Sequence, residues 1–121
     1  MAMNVRPVIV PRLLTRLMGF RTQYVDLPAV DLYLSAYQSN GAPAIFIVDP
    51  ADGQRVCTVT TNIDTPPAPG RVFVKTWSEN EGVYEALVAA HVLGPVTRTL
   101  SNGQALVYEC PLLIKPEDAD D

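Results

Sequence analysis

The chain has 121 residues, 48% of them hydrophobic, with nine Lys or Arg against thirteen Asp or Glu and a formal net charge of -4. That length fits one domain able to bury a core without staples, and the acidic balance argues against a broad electrostatic grip on nucleic acid. The charge is uneven: four of the nine bases and none of the thirteen acids fall in residues 1–25, so the remainder sets five bases against thirteen acids, a formal -8.

Residues 1–25 read as a basic N-terminal arm carrying Arg6, Arg12, Arg16 and Arg21. Pro7 and Pro11 interrupt any helix before Arg12, and the arm is poor in serine, which sets it apart from a transit peptide. Within it the stretch 12–18, RLLTRLM, has apolar residues at 13, 14, 17 and 18, the spacing of one helical face, and predicts a short helix covering the sheet or its edge. The apolar run 7–11 is too short for a signal-peptide core, and no apolar stretch approaches the roughly 18 residues needed to span a bilayer. The expectation is a cytoplasmic protein with no membrane partner.

Beyond the arm, Val30, Leu32, Leu34 and Ala36 alternate with Asp31, Tyr33, Ser35 and Tyr37, which predicts a strand with one apolar face. Ser39-Asn40-Gly41 is a turn signal, because Asn and Gly accept positive φ cheaply. The run 43–48, PAIFIV, is nearly continuous in apolar residues and predicts a central strand, and 49–53, DPADG, predicts the next turn. Residues 54–63, rich in Thr and Val, complete an antiparallel meander of three strands. The following DTPPAPG, 64–70, is too proline-dense for either element and reads as a stiff connection.

Val72, Phe73 and Val74 then make a short apolar strand. Ser78 and Glu81 have the spacing of a capping box, and Glu79 and Glu81 sit where a helix N-terminus favours acids. Tyr84, Leu87, Val88 and His91 recur at helical spacing, with Glu81 and Glu85 on the opposite face, and Gly94-Pro95 supplies a stop. Ser101-Asn102-Gly103 between two apolar runs predicts a terminal hairpin, and 116–121 a disordered acidic tail. Together these predict an α+β fold: over 26–115, an antiparallel meander sheet of about five to six strands packed on one principal helix, about residues 79–91, with a C-terminal β-hairpin.

Chemistry-bearing residues are few. Cys57 and Cys110 fall inside predicted strands, where buried free thiols behave as small hydrophobes, and with the lone His91 they give no closely spaced ligand pair, so neither a metal nor a cofactor is expected. No Ser/His/Asp set or phosphate loop is present, and the expectation is that the chain is not an enzyme. Trp77 is an apolar contact candidate, as aromatic residues dominate interface hot spots. Beside it Glu79, Glu81 and Glu85 make an acidic face, and these four are the expected binding residues. A basic partner fits them, whereas direct binding of nucleic acid by the arm is opposed by the -8 body.

The segment 72–95, VFVKTWSENEGVYEALVAAHVLGP, resembles a group of short uncharacterised proteins of phages, plasmids and other integrated elements, in which a strand leads into a Ser-Glu-Asn-Glu-Gly helix start and an Ala-Leu-Val body. This chain departs from that pattern by having His91 where a small residue, often Gly, is usual. The resemblance implies a mobile-element origin and no activity. Small acidic proteins of that origin include anti-CRISPR and anti-restriction inhibitors that present carboxylates where a nuclease complex expects phosphates. The expected function is therefore a non-catalytic protein-binding module of a mobile genetic element, an inhibitor of a host defence complex. The alternatives are a virion structural or assembly protein, and a small enzyme using Cys57 or Cys110 with His91.

Overall fold

A computed structural model of the chain describes residues 10–103 and 105–116. Among these residues seven strands form two antiparallel sheets. The first has the order β1 (Arg12–Arg21), β2 (Asp26–Ala36), β3 (Pro43–Val48), β4 (Arg55–Thr58); the second has the order β5 (Arg71–Lys75), β7 (Ala105–Pro111), β6 (Arg98–Asn102). Between β5 and β6 lie a 3₁₀ turn, Ser78–Asn80, and a single α-helix, α1, Val83–Ala89. The meander of β2, β3 and β4 and the hairpin of β6 and β7 follow the sequence expectation.

The expected α+β build, one sheet on one principal helix, is overturned. The chain is mostly β, its strands divide into sheets of four and three, and α1 has 7 residues, too short to be the principal layer against either. Residues 12–18 form part of β1 and not a helix. Their apolar positions have the helical period, and pairing with β2, with a register shift between Leu13 and Thr15, overrides it: Arg16 lies opposite Asp31 and donates to both its carboxylate oxygens, at 2.6 and 3.0 Å. That hydrogen-bonded pairing holds the Asp31 carboxyl below its ordinary range, against the opposing effect of burial. Of the expected disordered tail, 116–121, Pro116 is buried and residues 117–121 lie outside the described residues, as do the arm's first nine.

The two sheets share a seam. After β4 the chain bends out of the first sheet, yet Val59 still donates its N–H to Ile45 O (2.8 Å) while accepting from Lys75 N–H (2.9 Å), and Thr61 N–H donates to Phe73 O (3.0 Å). Thr60, 2% exposed, pairs with Val74 across this join. Its hydroxyl accepts the Ile45 N–H at 3.0 Å, so the ladder bond lost at the bend is replaced by a side chain. The core lies between the sheets and α1, with Val30 and Leu32 from β2, Ile45 and Ile47 from β3, Val72 and Val74 from β5, and Val83 and Leu87 from α1.

The ends of α1 differ from the expected ones for a local reason. Ser78 makes no side-chain cap; it has φ 57 and opens the 3₁₀ turn. Glu81 (φ -57, ψ 127) and Gly82 (φ 87, ψ -11) have the dihedrals of a type II turn, whose second central residue needs the positive φ that glycine tolerates. Hence Glu79 and Glu81 precede the helix, and of the predicted acidic face only Glu85 belongs to it. At the other end His91, φ 61, closes α1: its N–H donates to Val88 O (3.0 Å) and the Val92 N–H to Leu87 O (2.9 Å). This is the Schellman pattern, with Leu87 and Val92 supplying its apolar contact in the core. Gly94, expected to stop the helix, serves close packing: a Cβ there would lie 2.6 Å from Pro111 Cγ.

Candidate functional site

The connection 76–82, between β5 and α1, folds back through the 3₁₀ and type II turns and leaves a recess. Thr76, at the end of β5, donates its hydroxyl to Leu106 O at 2.7 Å and so fixes the floor against β7. Tyr108 rises from β7, and Tyr84, in the first turn of α1, meets it edge to face at 5.2 Å and 76°. Tyr84 is anchored in turn by donating to Gly94 O at 2.9 Å. The 3₁₀ turn brings Asn80, the type II turn Glu81 and Gly82, and α1 Glu85. These seven residues line a cavity of about 220 Å³.

Asn80 is the unusual member. It is 1% exposed, and its Nδ2 donates to Thr58 O at 2.7 Å, tying the turn to the end of β4. Its Oδ1 has no hydrogen-bond partner, the one such buried side-chain atom among the described residues. A buried acceptor left unpaired costs about 1–3 kcal/mol. Glu81 and Glu85 are exposed at the rim; Glu81 accepts from Gln23 Nε2 at 3.1 Å through Oε2, a bond made by the tip of the β1–β2 hairpin. No Lys or Arg lines the cavity among the described residues. Its chemistry is that of an acceptor-rich pocket walled by two aromatic rings.

The four predicted binding residues therefore divide. Glu81 and Glu85 meet at the recess, while Trp77 and Glu79 do not line it. Glu79 accepts from Lys75 Nζ at 2.8 Å, a bond that, with its own backbone, holds its carboxyl below the ordinary range. The same ammonium lies 5.6 Å from the Trp77 ring centroid. Lys75 thus neutralises one acid and covers the half-buried indole. Sequence reasoning misses Thr76, Asn80, Tyr84 and Tyr108 as site residues. Tyr84 reads as part of a core stripe and Asn80 as one polar residue in a polar run; Asn80's burial follows only from the turn dihedrals around it.

Elsewhere the buried titratable groups among the described residues are thiols or carboxylates with donors around them. Both cysteines are buried free thiols, as expected. Burial pushes Cys57 up to about 11 and Cys110 up to about 12, so the nucleophilic thiolate is scarce at neutral pH. His91, read as their only possible base, is exposed at the helix end. Glu109, 2% exposed in β7, accepts from Ala68 N–H (3.1 Å), Arg98 Nη2 (2.9 Å) and Thr97 Oγ1 (3.3 Å), and lies 3.7 Å from Arg71 Nη1. Burial raises its pKa, but these donors outweigh it and the net shift is downward. That cluster pins the proline-rich connection to the second sheet.

No group of three or more His, Cys, Asp or Glu able to hold a metal occurs among the described residues, and none of their helices is long and apolar enough to cross a membrane. Comparison with protein-family models, with curated proteins and with solved structures finds no match.

Proposed function

We propose that the chain is a protein-binding module without a reaction of its own, of mobile-element origin, which works in the host cytoplasm by presenting an acidic surface to a basic, nucleic-acid-handling defence complex. The observation that carries this reading is the meeting of Glu81 and Glu85 around a recess whose described lining holds no cation. The origin rests on the resemblance of residues 72–95, and the -8 balance beyond the arm supports a basic partner. Compared with the expected four-residue site, the acidic surface shrinks to the two carboxylates that Lys75 does not engage.

Rim charges act mainly on encounter, so the test is kinetic. Against an immobilised CRISPR surveillance complex or restriction endonuclease, association should slow as salt rises, and Glu81→Gln with Glu85→Gln should slow it about three- to tenfold at low salt with little change in dissociation. An association rate independent of salt and unchanged by the Gln pair overturns the reading.

A further inference from the structure

We infer that the recess between the 3₁₀ turn, α1 and Tyr108 is a receptor for one arginine side chain of a partner protein. This rests on the acidic-module reading above and names the group that module grips. Size comes first: sites for drug-sized ligands usually enclose about 300–1,000 Å³, and this recess holds about 220 Å³, room for a side chain. Chemistry then selects the side chain. Three side-chain donors of the lining are already spent, Thr76 Oγ1 on Leu106, Tyr84 Oη on Gly94 and Asn80 Nδ2 on Thr58. The acceptors that remain are Glu81 Oε1, the Glu85 carboxylate and Asn80 Oδ1, and the Tyr108 hydroxyl can accept as well as donate.

A ligand that supplies only donors, carries positive charge and has a flat face for tyrosine is a guanidinium. It offers five N–H donors in a planar fork and no acceptor, whereas an ammonium is a compact point charge that stays strongly hydrated. The carboxylates attract the charge and Tyr84 and Tyr108 give it an aromatic wall. Asn80 Oδ1 is the independent sign of a ligand. Asn80 lines the recess, and its buried acceptor lacks a donor; neither rim acidity nor helix geometry accounts for that.

The test titrates the full chain, labelled with nitrogen-15, with Nα-acetyl-arginine amide, the equivalent blocked lysine, blocked citrulline as neutral isostere, and free arginine. Blocked arginine should move the amide signals of Gly82, Glu85 and Tyr108 saturably, with a dissociation constant of about 1–10 mM, as befits one anchor detached from its interface. Blocked citrulline should leave them in place and blocked lysine should bind several-fold more weakly. Free arginine, whose α-carboxylate would face the same acids, should also bind more weakly than the blocked form. Glu85→Gln, an exposed position that the fold does not need, should weaken blocked arginine about tenfold. The inference is overturned if no saturable shift occurs, if citrulline or lysine matches arginine, if free arginine binds more tightly than the blocked form, or if Glu85→Gln changes nothing. Its failure is separable from that of the module reading: salt-dependent association with a partner in the absence of arginine binding removes the recess alone, and arginine binding without such association removes the partner class alone.

Discussion

Glu109 shows how one residue carries a consequence that its neighbours in sequence conceal. Set between Tyr108 and Cys110 in a strand, it is among the most buried of the described residues, and donors from Ala68, Arg98 and Thr97 hold its carboxyl below the ordinary range against the effect of burial. Its folded pKa lies below the unfolded value, so its contribution to stability is present in full above the unfolded carboxyl range, near 4.5, and is lost as pH falls through the folded value. Glu109→Gln should therefore lower stability at pH 7 by about 1–3 kcal/mol. The difference from the parent should shrink on acidification below pH of about 4. Urea midpoints measured from neutral to acid pH check both; a difference that does not change with pH would mean that the substituted amide is merely a poorer fit. A lone acid in an apolar strand was the signal available in sequence, but its partners come from positions 41 and 11 residues away and only the fold assembles them.

At the scale of elements, strands were legible where side chains alternate or cluster, and turns where Asn, Asp and Gly meet: β2, β3, β5 and the final hairpin come close to their expected bounds. Two kinds of element were not. The strand β1 has a helical stripe in sequence, and its fate depends on β2, a partner that local periodicity ignores. The start of α1 has a capping box in letters but not in conformation, because Ser78 is left-handed and the Glu81-Gly82 turn intervenes. For the same reason half of the candidate site was legible: Glu81 and Glu85 stand out as acids, while Asn80 and Tyr108 acquire their places from the turn and from sheet pairing. The helix end makes a prediction. A non-glycine residue in the left-handed region costs about 1–2 kcal/mol, partly offset by the greater unfolded-state freedom of glycine. His91→Gly should raise stability by about 0.5–1 kcal/mol. A denaturant midpoint that stays in place or falls would show that the imidazole makes up the difference.

For the whole molecule, the seam at Val59, Thr60 and Thr61 means that the chain is divided between two sheets whose backbone hydrogen bonds and core are held in common. One covalent thread, the exposed stretch around Thr65 and Pro66, leads from the first half to the second. Cutting it should cost little in the folded molecule, while each half alone would present an open core and a ladder edge with nothing to close it. Peptides 1–65 and 66–121, each without a cooperative melt by itself, should therefore find one another on mixing and regain a single transition, its midpoint rising with peptide concentration as mass action requires. The protein would then act as its own complementation pair. A half that folds unaided would mean that the seam joins two structures that never needed it.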